Sequence, residues 1–251
     1  MLKQIGICKF CNQEKKLCDA HILPKVFIKD LWDNPCRNKI LKIDSFEKRR
    51  STTRIGDIDS RILCEKCDRE FGIYDDFAQN FLLKKDLTPY KKIDMENSYF
   101  DIPLEEKDAI KLKLFFISFI FRCSISTRPF ARGVNLGKKY EELAKGILRS
   151  KEDINDSFSI IIIRLSSKDK KTDQIKRQFI SSPQRVKFEN RNAYSFVMNG
   201  FKIIIKTDKL AFKRELQEAQ LKKNSILIIE INHDQIFEFK MGVDFFRKTK
   251  E

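Results

Sequence analysis

No apolar run in this sequence approaches the ~20 residues that a helix needs to cross a bilayer. The longest, Leu114-Phe115-Phe116-Ile117-Ser118-Phe119-Ile120-Phe121, stops at Arg122 and reads as a buried helix. Met1–Gly6 has no apolar core of the kind a secretory signal carries. There is no internal repeat and no low-complexity tract beyond short lysine runs. Histidine is scarce, with only His21 and His233. From these absences no membrane-spanning helix, no secretory signal and no repeat architecture is expected. With 41% hydrophobic and 35% charged residues the chain is globular and not disordered. Its 251 residues suffice for one large or two small domains with substantial cores.

What is present begins with seven cysteines. Without a signal segment, a reducing, cytoplasmic setting with thiolate-bound metal fits better than disulfides. Four of them fall in two Cys-x-x-Cys pairs, Cys8-Lys9-Phe10-Cys11 and Cys64-Glu65-Lys66-Cys67. Each pair sets two thiolates on one tight turn, and two such turns close a tetrahedral shell around zinc. A closed thiolate shell leaves no open position, so this zinc is expected to be structural. Cys18, Cys36 and Cys123 read as small buried apolar groups. Cys18 has the alternative of an odd ligand or reactive thiol, three residues before His21.

Net charge is +15, which favours a polyanionic partner: nucleic acid first, an anionic membrane surface second. The excess is uneven. Residues 1–100 hold 20 Lys+Arg against 16 Asp+Glu, and residues 101–251 hold 31 against 20. The C-terminal part is therefore expected to supply much of any grip on phosphates.

The coarse order is as follows. Residues 5–22 read as a strand, a cysteine turn and a second strand ending on His21. Pro24 suits the first turn of a helix whose apolar face is Val26, Phe27, Leu31 and Trp32. Residues 33–54 look like an insertion, with a strand over 39–44 and a basic loop over 47–54, either solvated or contacting phosphate. A strand resumes over 55–62. Cys64 and Cys67 then lead a helix with Phe71, Tyr74, Phe77, Ala78, Phe81 and Leu82 at spacings of three and four. Residues 88–105 read as a linker, and helices follow over 105–124 and 138–150. Beyond residue 150 the runs 158–165, 178–181, 194–205, 226–231 and 236–240 read as strands, Asn199-Gly200 as a hairpin turn, and 209–223 as an amphipathic helix. His233, in Asn232-His233-Asp234-Gln235, reads as a surface turn residue.

The arrangement Cys8-x-x-Cys11, Ala20-His21-Ile22-Leu23-Pro24-Lys25, Cys64-x-x-Cys67-Asp68 resembles the HNH (His-Me finger, ββα-metal, treble-clef) endonucleases, closest to their zinc-stapled branch, over about residues 5–85. Phe121-Arg122-Cys123-Ser124-Ile125-Ser126 is similar to the same subgroup. Two positions depart from the pattern. Ala20 stands where the usual aspartate precedes the histidine, and Asp68 stands where an asparagine follows the second cysteine pair. Asp19 is no simple stand-in for Ala20's missing carboxylate, because neighbouring strand residues face opposite ways.

The resemblance implies an N-terminal zinc-stapled ββα-metal module over 1–87 with an insertion; the residue pattern adds a helical connector over 88–150 and a basic, antiparallel β-rich α+β domain over 151–251, an α+β chain in all. The resemblance also implies a phosphodiester hydrolase of mobile-element or phage-defence biology acting on DNA, with RNA left open. His21 would be the general base, near neutrality in its unperturbed pKa. Asp68 would hold a catalytic Mg²⁺ or Mn²⁺, or alternatively serve only as a first-turn carboxylate favoured by the helix dipole. Asp19, Asp59, Glu70 and Asp75 are available as a second ligand. No membrane is expected as a partner, and the C-terminal region could dock a protein partner or regulator. The rival expectation is a non-catalytic zinc protein that binds nucleic acid or docks a partner.

Overall fold

The computed structural model describes residues 4–29, 40–44, 49–53, 56–94, 97–152, 156–167 and 179–236. The chain opens on an antiparallel hairpin of β1 (Ile5–Ile7) and β2 (Glu14–Lys16), with the first cysteine pair in its turn. β3 (Ala20–His21) and a short helix α1 (Lys25–Lys29) follow, the helix starting directly after Pro24. β4 (Ile40–Asp44) and β5 (Arg49–Thr53) pair antiparallel. β6 (Ile58–Asp59) returns to β3, with Ala20 opposite Asp59 and His21 opposite Ile58. α2 (Glu65–Gln79) begins at Cys64 and runs into a π-helical turn, Asn80–Lys84.

Then come β7 (Lys91–Asp94), β8 (Asn97–Pro103), α3 (Glu106–Ile125) and α4 (Gly137–Ser150). The rest of the described chain is β9 (Ile160–Ser166), β10 (Phe179–Ser181), β11 (Gln184–Phe188), β12 (Arg191–Met198), β13 (Phe201–Lys206), α5 (Arg214–Gln217) and β14 (Ser225–Asn232). The class is mixed α+β.

One 10-stranded sheet dominates, ordered β5-β4-β10-β12-β13-β9-β14-β8-β7, with β11 also on β12. It is mixed rather than purely antiparallel: β4 runs parallel to β10, and β9 parallel to β14. Its strands come from all three stretches of the chain, before residue 88, between 88 and 150, and after 150.

The central strands β9, β12 and β13 are largely buried on both faces, and period-two alternation sorts their side chains. Ile160, Ile162, Phe196, Ile203 and Ile205 belong to the main core, while Ile161, Ala193 and Ile204 face a smaller one with Phe212 and Ala219. α3 lies in the main core and is apolar almost all round, as a central helix must be. Its Phe119 ring meets Phe196 of β12 at 4.7 Å, and Phe115 stacks on Phe27 of α1 at 5.2 Å. The hairpin turn at Asn199-Gly200 forms with φ of 50° and 88°, the left-handed pair that a two-residue turn requires.

Several expectations are corrected. The 88–105 linker contains β7 and β8, and part of the basic 47–54 loop is β5. The 209–223 helix shrinks to α5, because the buried Lys206 amino group takes the carbonyls of Asp208 and Leu210 at 2.8 and 2.7 Å and pins that segment as a loop. β11 was not foreseen. Leu31, Trp32, Cys36 and residues 237–240 lie outside the described residues. No helix among the described residues is long and apolar enough to cross a membrane.

Candidate metal centre and histidine site

The Cys8–Cys11 turn is built by the backbone. The Asn12 N–H donates to the Cys8 carbonyl at 2.8 Å, the Cys8 N–H to the Gln13 carbonyl at 3.0 Å, and Asn12 takes a left-handed φ of 59°. The second turn is the start of α2. The Asp68 N–H donates to the Cys64 carbonyl at 3.0 Å, and Cys64 occupies the cap position in extended geometry. The two turns are tied together by Lys9 N–H to the Ile62 carbonyl, Cys18 N–H to the Leu63 carbonyl and a Leu17–Cys64 bridge.

These ties bring the sulfurs of Cys8, Cys11, Cys64 and Cys67 within 4.8 Å of one another. In a tetrahedral shell with Zn–S of about 2.3 Å, neighbouring sulfurs stand about 3.8 Å apart, so little adjustment is needed. The Cys67 thiol donates to the Cys8 sulfur and holds Cys8 well below the ordinary thiol range; amide N–H groups of Cys11, Cys64 and Phe10 add to that, against burial. Those N–H···S contacts are what a thiolate ligand uses to disperse its charge. The four cysteines could therefore hold a metal ion such as zinc. Among the described residues they are the one cluster of three or more metal-ligating side chains.

His21 ends β3 and is half-buried. Burial first, then the charges of Lys25 and Arg122, lower its pKa, and Asp19 works the other way. The neutral imidazole is thus the form present at neutral pH. Asp68 lies in the first turn of α2, also half-buried; burial raises its pKa, Arg122 lowers it and Asp75 adds to the rise. Arg122, near the end of α3, is 1% exposed. Its guanidinium grips Asp75 of α2 bidentately at 2.7 and 3.0 Å and donates to the His21 carbonyl at 3.1 Å. Burial opposes its charge, and the Asp75 carboxylate outweighs that and keeps it protonated.

Three of the other acidic candidates, Asp59, Glu70 and Asp75, are engaged. Asp59 is 1% exposed and accepts from Ser126 Oγ at 2.8 Å and from the Arg61 N–H at 3.0 Å, which pins the end of α3 to β6. Asp75 is committed to Arg122, and Glu70 to Lys151 at 3.2 Å. Asp19 is exposed. Ala20 is fully buried opposite Asp59. Cys18 and Cys123 are buried, as expected, and burial pushes the Cys123 thiol far up, which makes it inert. His233 is a correction. It sits in a turn but is 8% exposed, with Nδ1 on the Ser166 carbonyl at 2.8 Å and Nε2 by the Asp234 carboxylate at 3.0 Å.

Sequence reasoning passed over Asp75 as Arg122's partner. Its signal was a charged pair in two otherwise apolar helical faces. No family model, curated protein or solved structure matches this chain.

Proposed function

We propose that the protein is a metal-dependent HNH-type endonuclease that hydrolyses phosphodiester bonds in DNA, with the module built from β3, β6 and α2 as a ββα-metal, treble-clef unit. The observation that carries the reading is the placing of His21. It sits on a strand pair that leads through Leu63 into the second cysteine turn and α2, half-exposed and neutral at neutral pH. A neutral imidazole in that setting accepts a proton from the attacking water. Asp68, on the first turn of α2, is the residue that would hold Mg²⁺ or Mn²⁺. Such an ion neutralises charge building on the phosphate and the leaving oxygen. The four cysteines would bind zinc structurally, joining the β1–β2 turn to the start of α2.

The reading is tested by incubating the purified chain with plasmid and Mg²⁺ or Mn²⁺. Cutting should appear, stop on addition of EDTA, and weaken in Asp68→Ala with partial recovery at high Mn²⁺. Cutting that survives EDTA, or that Asp68→Ala leaves intact, contradicts it.

One observation favours a second reading. Ala20 is wholly buried where a nuclease of this type carries an aspartate, and Asp59 and Asp75 are engaged in holding the fold. A non-catalytic zinc module that binds nucleic acid or docks a partner would have no need of those carboxylates. That reading predicts salt-sensitive DNA binding with no cleavage under any divalent ion.

A further inference from the structure

The buried ion pair between α2 and α3 does more than fill the core. A carboxylate uses two of the five N–H donors of a guanidinium. In Arg122 the surplus is directed: one nitrogen also reaches the His21 carbonyl at 3.1 Å, and Nε reaches the Ser118 carbonyl at 3.3 Å. A single fully buried side chain thus ties β3 at the residue bearing the imidazole to α2, two turns beyond Asp68, with α3 as the rigid support. The Arg122 guanidinium carbon also lies 5.8 Å from the centroid of the Phe71 ring, within cation–π reach. The surrounding segment of α3 repeats the pattern. Lys9 Nζ from the first cysteine turn donates to the Ile125 carbonyl at 2.6 Å, and Ser126 holds Asp59 of β6.

We propose that Arg122 is a positioning residue for His21: its fork, held by Asp75, sets the distance and angle of β3 against α2, and with them the placement of the imidazole relative to Asp68. The geometry of His21 follows whatever the module does; the catalytic consequence rests on the nuclease reading above. Stability alone is a poor account of the pair. Buried pairs replaced by apolar residues of similar volume are often no less stable, whereas a lone survivor of the pair is strongly destabilising. The useful variant is therefore one that removes both partners together.

The test uses the full, zinc-loaded chain with Arg122→Met combined with Asp75→Leu, and beside it Arg122→Lys, which keeps the charge and loses the fork. Two readouts are taken. The first is the imidazole ring signal in a ¹H–¹³C spectrum, where the chain's two histidines serve as probe and control. The second is the rate of metal-dependent cleavage at saturating DNA, with KM.

In both variants the His21 signal should move or broaden while that of His233 stays. The saturated rate should fall about 10²-fold in the double variant, the cost of misplacing a reacting group by about 1 Å, with KM little changed. A His21 signal unchanged in the double variant overturns the proposal, as does full cleavage in a variant whose zinc content matches wild type. Should the double variant fail to fold, Arg122→Lys decides alone by the same criteria. Should the wild-type chain cut nothing, the nuclease reading falls, and the ring signal still decides whether Arg122 positions His21.

Discussion

At the scale of single residues, charge burial sets the largest expected effects. Arg122 and Asp75 are both removed from water, and each satisfies the other. Truncating either one alone strands the partner's charge, so Arg122→Ala or Asp75→Ala should cost roughly 3–5 kcal/mol. Denaturant unfolding measures this, and a loss under about 1 kcal/mol would show that water reaches the site.

His21 gives a smaller effect with a defined sign. Burial, Lys25 and Arg122 hold its folded-state pKa below the ordinary 6.5. As pH falls through 6.5 the unfolded chain takes up the proton first, so stability drops from there down to the lowered folded value, below which the loss is complete. Above that window the residue adds no pH dependence. The melting temperature of wild type should therefore fall more between about pH 7 and about pH 5 than that of His21→Gln; parallel curves for the two would deny the burial of the ring.

At the scale of elements, the two cysteine turns depend on one another. The ties between them are two backbone hydrogen bonds, Lys9 N–H to the Ile62 carbonyl and Cys18 N–H to the Leu63 carbonyl, a Leu17–Cys64 bridge, and the buried Phe10 ring edge-on to Phe71 of α2 at 4.9 Å. Metal affinity is then folding free energy for β1, β2 and the start of α2. Cys64→Ser should lose one bound zinc per chain and expose this part to protease, while α3 and the main sheet remain folded. Stoichiometric zinc in a variant lacking both Cys8 and Cys64 would refute the four-cysteine shell.

What the sequence disclosed divides along the same line. The cysteine turns, the Asn199-Gly200 hairpin and α3 were legible because their causes are local: ligand spacing, a left-handed turn, an apolar run. β7 was not, because Lys91–Asp94 is exposed throughout and owes its strand to pairing with β8. The amphipathic pattern over 209–223 looked helical, yet Phe212 and Ala219 answer to the far face of the sheet. His233 carries honest turn chemistry, with the Asn232 side chain accepting from the Asp234 N–H, but its ring bonds to Ser166 at the end of β9, a contact no local window contains. The same holds for Arg122, whose partners Asp75 and His21 lie 47 and 101 residues away.

At the scale of the whole molecule, the sheet draws β4 and β5 from the early insertion and β7 and β8 from the middle of the chain, so the basic C-terminal stretch does not stand apart from the rest. Nucleic-acid binding is therefore best measured on the intact chain. If the net charge of +15 serves to grip phosphates, affinity for a labelled duplex should fall steeply, by about 10³ or more between about 50 and about 200 mM salt for six or more phosphate contacts. Weak binding that ignores salt would mean that the lysines keep an Ile- and Phe-rich sheet soluble and no more.

The central claim is that a zinc-held module presents His21 as a base to a phosphodiester. The measurement closest to it is DNA cleavage with Mg²⁺ or Mn²⁺ by wild type and by His21→Ala, with zinc content and melting temperature taken on the same samples. The account predicts cleavage by wild type and none by His21→Ala at matched zinc content and near-equal stability. Cleavage at the wild-type rate by His21→Ala, or no cleavage by a zinc-replete wild-type chain, would contradict it.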